Sequence, residues 1–431
     1  MKLTIPDFNA VTEMITEYAR LKAEYGAPGV QALLDKARAS LDECLSGIQA
    51  LENDAALSDK EPDEYGRILA LRPVGKRKLW SSLDESVYAD RLQGAMLGRF
   101  AGCTLGTIVE GWDTARMEGW AKRIGDSFPP VDYWSQARIP FGLRYESECF
   151  RYTRDQIDGV PVDDDIAYTL LDLLIAEEYG LDFTTGDVGK AWLKYLPFAC
   201  TAEEVALANL KAGVAADRAA DINNPYVQWI GADIRSDGWA YIAAGYPEKA
   251  ARMAYYDAYI SHRRNGIYGE MFFSAAQAAA FAVDNAGDAL KIGLAEIPKD
   301  CTLANELRWA LDESKNIRNH KDAVAAVSER FSPMSPVHTN NNACLTVFGL
   351  MIGGNDVTKV ISEVVAMGYD NDCTAATAGS IIGAVMGKEG VPAHWHKNFN
   401  NTVHSYLNGQ EKFYIDDLTK RFTALARKVW A

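Results

Sequence analysis

Apolar positions along the chain recur at helical spacing almost throughout, with no series of alternating β-branched runs between hairpin turns, and this pattern predicts an all-α fold. Two amphipathic stretches open it, Pro6 to about Tyr25 and Pro28 to Leu51. Gly26-Ala27-Pro28 breaks them and a proline stands near each start, so they predict a helical hairpin. The segment NDAALSDKEPDEYG (53–66) is polar and reads as a linker, and the Lys76-Arg77-Lys78 cluster after it reads as solvated surface charge. The expected organisation is a hairpin and linker over residues 1–86, then a compact multi-helical domain over 87–431.

From Asp90 the pattern changes character. Gly94, Gly98, Gly102 and Gly106 fall every four residues in DRLQGAMLGRFAGCTLGTIVEG, and Gly379, Gly383 and Gly387 do the same in GYDNDCTAATAGSIIGAVMG. Each glycine inside a helix costs roughly 1 kcal/mol relative to alanine, so such stripes need a packing reason. They predict buried helices on which another helix lies almost backbone to backbone. A further apolar pattern runs from Ile166 to about Tyr179 and stops at Gly180. Thr201 to Glu204 reads as a capping box opening the next helix, and Asn340, Asn341 and Asn342 read as cap residues ahead of another. Ile415, Leu418, Phe422, Leu425 and Val429 predict a docked C-terminal helix within Glu411 to Ala431. Residues 127–145, with three prolines and the aromatics Tyr133 and Trp134, fit no regular element; they read as a packed surface loop, with a lid or stacking surface as the less common alternative.

Composition narrows the function classes. With 48% hydrophobic and 24% charged residues in 431, the chain is an ordinary globular one. Its 44 basic against 59 acidic residues leave a net charge of -15, which repels nucleic acid and anionic membrane. The longest apolar segment, Leu92 to Val109, is interrupted by Arg99, and the start carries no apolar run of secretory-signal length; a cytoplasmic protein is expected. Seven scattered cysteines with no C-x-x-C pair are expected to be reduced thiols.

The chemistry lies in two acid clusters, each at a helix mouth. Asp163-Asp164-Asp165 opens the Ile166 pattern, and Asp370 and Asp372 precede the second glycine stripe on one face of an extended segment. Five aspartates cannot all ionise in one dry cavity, so either the clusters are far apart or divalent cations sit between them. Carboxylate and water ligation suits Mg²⁺ or Mn²⁺, and neither cluster has a histidine beside it in sequence, which disfavours zinc. Two such ions would activate a bridging water, and hydrolysis is the natural outcome. On spacing alone the triplet is equally a set of helix N-terminal carboxylates favoured by the macrodipole. Glu110, just past the first stripe, either emerges near the same mouth or is an exposed loop acid.

GRFAGCTLGTIVEG, VDDDIAYTLL, DIRSDGW and GYDNDCTAATAGSIIGA, in that order between Asp90 and about Trp395, resemble the motifs of the ADP-ribosylglycohydrolase family. The resemblance implies an all-α two-metal hydrolase. It puts Asp164 and Asp165 at the paired aspartates of the first metal motif with Asp163 in a threonine's place, and Asp370 and Asp372 at the second pair, with Cys373 where a metal-binding threonine stands and Thr374 as the next hydroxyl. Glu110 matches a glutamate that reaches the metal site or the scissile sugar, so Glu110, Asp164 and Asp370 are the expected catalytic groups. Arg235, His262, Asn342 and Tyr369 are the expected substrate contacts. Cys103, Asp163, Ile166 and Cys373 depart from the family's usual residues, which bears on substrate more than on metal. The expected activity is cleavage of the C1 glycosidic bond of a ribosyl or ADP-ribosyl group, on a small molecule or a protein, with two Mg²⁺ ions or Mn²⁺. The alternatives are a non-catalytic binding or structural protein on the same scaffold and a phosphoester hydrolase. The hairpin, which the resemblance does not cover, is a candidate homo-oligomerisation element, a cover for the cavity or a partner-binding hairpin.

Overall fold

The two glycine-striped segments form helices, Glu85–Thr107 and Asn371–Met386, and they pack against each other. A methyl added at Gly98 would stand 2.1 Å from the Gly379 carbonyl oxygen, and one at Gly102 would stand 2.0 Å from that of Ala375. Gly94 meets Gly383 and Gly387 while Gly106 meets Asp372, so the helices run antiparallel. That direction brings the end of the first helix to the beginning of the second. Both are apolar on nearly every side and buried, as helices central to a domain must be.

The computed structural model describes residues 4–431 and holds nineteen α-helices and two small two-stranded sheets among them. The sheets pair Leu143–Arg144 with Ser147–Glu148 and Thr402–His404 with Lys412–Tyr414; the rest of the architecture is helical, as the periodicity predicts. Around the glycine pair stand the helices Asp164–Tyr179, Asn265–Ala280 and Thr339–Gly353, each buried along most of its length, and the amphipathic Ile415–Trp430, which docks through Leu418, Phe422 and Leu425. The fully buried Arg99 ties its own helix to Asp164–Tyr179 and to the segment 230–242. It donates to Asp237 Oδ2 (2.6 Å) and to the carbonyls of Asp165 (2.6 Å) and Ile234 (2.7 Å). Among the described residues no helix is long and apolar enough to cross a membrane.

Two compact units divide the chain, Met1–Asp59 and Lys60–Ala431. The first contains the expected hairpin, Phe8–Glu24 and Val30–Gln49. The boundary falls after Asp59 rather than after residue 86, because what reads as linker is anchored in the second unit from Glu61 onward. Glu61 is buried and accepts from Arg264 Nε (2.8 Å), Asn265 Nδ2 (3.1 Å) and the Thr302 amide (2.8 Å). The basic cluster is not simply solvated either: Arg77 donates to Glu296 Oε1 (2.7 Å), and Lys78 lies 4.6 Å from the centre of the Trp430 ring.

Two local expectations change. The capping box at Thr201 is absent: the helix Thr201–Lys211 is capped from Cys200 without a side-chain hydrogen bond, and Thr201 has φ +45°. Tyr133 and Trp134 form no stacking surface, since both are buried. Trp134 donates to the Leu105 carbonyl (3.0 Å) and the Tyr133 hydroxyl to that of Trp395 (2.5 Å), so these two anchor the proline-rich loop, while Ile139, Phe141 and Leu143 stay exposed.

Candidate functional site

Asp163 ends an extended segment and caps the helix Asp164–Tyr179, accepting from the Asp165 amide (3.2 Å), while Asp370 is the residue before Asn371–Met386. Carboxylates belong at such N-termini, where free amides and the helix dipole favour negative charge. What brings the two mouths together is the glycine pair. The C-terminal end of Glu85–Thr107 donates from Thr107 Oγ1 to Asp163 Oδ2 (3.1 Å), and Gly106 lies against the backbone of Asn371 and Asp372. The turn after it, held by the Gly111 amide on the Tyr369 carbonyl (3.1 Å), carries Glu110 to the same place.

Glu110, Asp164, Asp370, Asp372 and Cys373 line one cavity of about 110 Å³, with Arg144, Tyr145, Glu203 and Trp229 on its other walls. Two groups beneath and beside it have ligand geometry: Cys103, Asp163 and Asp165 offer atoms within 4.8 Å of one another, as do Asp370, Asp372 and Cys373. Both oxygens of Asp165 and one oxygen each of Asp370 and Asp372 are buried without a hydrogen-bond partner. Buried carboxylate oxygens left in that state are costly unless a cation satisfies them, so the donor set fits a divalent ion. Burial and the neighbouring Asp163 push Asp164 up to about 7, and burial and Glu110 push Asp370 up to about 7. Burial raises the Cys103 and Cys373 thiols well above their usual range. As neutral thiols they are weak ligands beside four oxygen donors.

No pattern along the chain marks Arg144, which is the site's one cavity-lining cation among the described residues. It reaches in from the hairpin Leu143–Arg144/Ser147–Glu148 and donates to Asp372 Oδ2 (2.6 Å), Asp163 Oδ2 (3.3 Å) and Glu110. A lone arginine in an aperiodic loop has no pattern to mark it. Backbone strain gathers here too: Tyr145 (φ +47°), Glu146 (φ +64°), Thr201 (φ +45°) and Tyr369 (φ +61°) lie in or beside the cavity wall. Side-chained residues held in the left-handed region cluster at functional sites because only a rigid surround can keep them there.

The four expected substrate contacts are elsewhere. Arg235 is fully buried, with Nε on Asp257 Oδ2 (2.6 Å) and Nη1 on Glu203 (3.1 Å) and Ser261 (2.9 Å). It supports Glu203 from behind the cavity wall. His262 is also fully buried, with Nδ1 at 2.8 Å from Ser261 Oγ, and burial holds it neutral. Asn342 acts on the backbone: its Oδ1 accepts from the Asp370 amide (3.3 Å), and its Nδ2 donates to the carbonyls of Pro336 (2.8 Å) and His338 (3.0 Å). Tyr369 points to Ser328 (3.2 Å). Thr374, expected at the metal, donates its hydroxyl to the Asp370 carbonyl (2.9 Å) and does not line the cavity.

Comparison with known proteins bears on this geometry. The model of the ADP-ribosylglycohydrolase family matches residues 84–429. A solved structure titled ADP-ribosylglycohydrolase-related protein complex is 18% identical, covers 80% of this chain and 98% of its own, and superposes with a TM-score of 0.46. No curated protein sequence matches.

Proposed function

The chain belongs to the ADP-ribosylglycohydrolase family, and from that premise we propose that it is a metal-dependent glycohydrolase cleaving the C1 glycosidic bond of a ribosyl or ADP-ribosyl group. The observation that carries the reading is the set of buried carboxylate oxygens without a hydrogen bond on Asp370 and Asp372, from one helix mouth, and on Asp165, from the other, whose one ion pair among the described residues is with Arg99 at 3.5 Å. Asp163, Asp165, Asp370 and Asp372 would hold two ions, with Asp164 and Cys373 at the cavity face. The oxygen-rich donors suit Mg²⁺ or Mn²⁺. Bound ions of this kind lower the pKa of a coordinated water and polarise sugar oxygens.

The chain's own residues supply the rest. Asp164 and Asp370 both face the cavity and are placed to accept the proton of the attacking water. Glu110, at the rim, is exposed enough to meet the ribose hydroxyls and orient the anomeric carbon. Seven free cysteines support a reducing, cytoplasmic setting. Asp164→Asn and Asp370→Asn should each lower turnover by about 100-fold or more, the scale of losing a positioned acid–base group, with the helical fold intact. The assay is release of ribose or ADP-ribose from ADP-ribosylated proteins and a panel of ribosides, with Mg²⁺ and Mn²⁺ each present. Full activity in both variants, or inorganic phosphate as the product, would overturn the reading.

One observation favours a second reading, a binding or structural protein on the same scaffold: Arg144 already neutralises part of the acid cavity. Calorimetry with Mg²⁺ and Mn²⁺ separates the two, because a scaffold of that kind has no use for the ions.

A further inference from the structure

Arg144 stands among the groups that would hold the ions. Its guanidinium lies 2.6 Å from Asp372 Oδ2 and 3.3 Å from Asp163 Oδ2, and each of those residues belongs to one of the two ligand groups. It also pairs with Glu110, the acid at the rim. Arg144 leaves Asp372 Oδ1 free but occupies the other oxygen of the same carboxylate, and a guanidinium so close to an ion in a partly dry cavity repels it and weakens both ligand groups.

The segment that carries Arg144 is strained. Arg144 faces Ser147 across a two-residue turn whose central residues, Tyr145 and Glu146, both have positive φ (+47° and +64°). Turns of this kind strongly favour asparagine and glycine, so this hairpin is held shut against its own backbone preference. Tyr145 also forms a wall common to two cavities, the acid one of about 110 Å³ and a neighbouring one of about 520 Å³ lined by Arg151, Asp158, Phe198 and His404. Ligand sites usually occupy about 300 to 1,000 Å³. With Arg144 inside, the acid cavity is too small for a ribosyl group and its leaving group; joined to its neighbour, it is large enough.

We propose that Arg144 is an internal competitor for the divalent cation: in the metal-free protein its guanidinium takes the cation's place, and metal binding expels it and moves the 143–148 tip, joining the two cavities into the substrate site. The proposal rests on the metal reading of the site given above. It makes the arginine a regulator of metal loading, with the strained turn as its spring.

The test is calorimetric titration of the full-length protein with Mn²⁺ alone, which needs no substrate and no turnover. If the arginine-in state holds about nine-tenths of the metal-free population or more, removing it tightens the apparent affinity at least about tenfold. Arg144→Gln should therefore bind Mn²⁺ about tenfold more tightly than the natural chain, and metal-free Arg144→Gln should melt earlier and gain more on Mn²⁺ addition. A second variant approaches from the other side. Glu146→Gly relaxes the turn in its shut form and should weaken Mn²⁺ binding about threefold relative to Glu146→Gln, which loses the same charge without the glycine's freedom. This comparison decides the matter if Arg144→Gln does not fold. Unchanged or weaker binding in Arg144→Gln, or equal affinities in the two Glu146 variants, overturns the competition while leaving the metal site standing. No Mn²⁺ binding by any of the proteins overturns the metal reading itself, and the competition with it.

Discussion

At the scale of single residues, Arg144 and Arg235, two of the arginines that face acid groups near the cavity, do opposite work, and their surroundings say so. Arg144 is partly exposed on a strained tip and pairs with groups from different elements. Arg235 is sealed in, held by Asp257, Glu203 and Glu270 and lying 5.1 Å from the Trp192 ring centre. Removing one partner from a buried ionic cluster costs about 3 to 5 kcal/mol, because the opposite charges are left without compensation. Arg235→Met should lose about that much stability in urea unfolding, and Arg235→Lys should not recover it, because a single ammonium cannot reproduce the fork. A folded Arg235→Met protein with natural stability and a raised KM would instead return Arg235 to the substrate-contact role expected from its motif. The acids of the site were legible in the sequence because they come in short runs at the starts of apolar patterns. Arg144 was not, since nothing local distinguishes it from any loop arginine. Arg235 and His262 lie buried behind the cavity wall, and a motif near the cavity says nothing about which side of the wall a side chain takes.

At the scale of elements, the glycine helices show how far periodicity carries. Four-residue spacing states that something lies close against each stripe, but not what, and it takes the structure to pair Gly98 with Gly379 and Gly106 with Asp372. That pairing is what joins the acid clusters, so the fold and the site depend on the same contact. Gly98→Ala should cost about 1 to 3 kcal/mol or more, the usual range for overpacking, because its methyl would meet a backbone carbonyl at 2.1 Å and no side chain can move aside. By parting the helix ends it should also weaken Mn²⁺ binding. Gly119 is the control: it sits on the helix Thr114–Ile124 with nothing within 4 Å of an added methyl, so Gly119→Ala should stabilise by about 0.5 to 1 kcal/mol. Thermal melts of the two variants should move in opposite directions. A neutral Gly98→Ala would mean that the two helices are not in backbone contact in solution.

At the scale of the whole molecule, each unit poses its own question. Residues 53–66 look like linker because they are polar, yet charged groups paired in the interior fix a segment as firmly as apolar ones; Glu61, held by Arg264, illustrates this, and Arg72, just beyond, pairs with Glu248 and Glu296. The hairpin presents the reverse case. Neither Phe8–Glu24 nor Val30–Gln49 has a buried residue, and Val11, Met14, Tyr18, Leu21 and Tyr25, spaced three and four apart, are each between 36% and 72% exposed. Helix-on-helix seams use that spacing, and from it we propose that the stripe is an association surface. A second copy of the hairpin is the proposed occupant, because an identical stripe on the same period is self-complementary about a two-fold axis and needs no other partner. Light scattering on the full-length chain should then report a dimer at micromolar concentration. Val11→Glu combined with Tyr18→Glu sets like charges across the seam and should give a monomer with the melting temperature of Lys60–Ala431 unmoved, since the core of that unit is built from residues 68 onward. A natural chain that stays monomeric at tens of micromolar, or a double variant that stays dimeric, would remove the hairpin from this role.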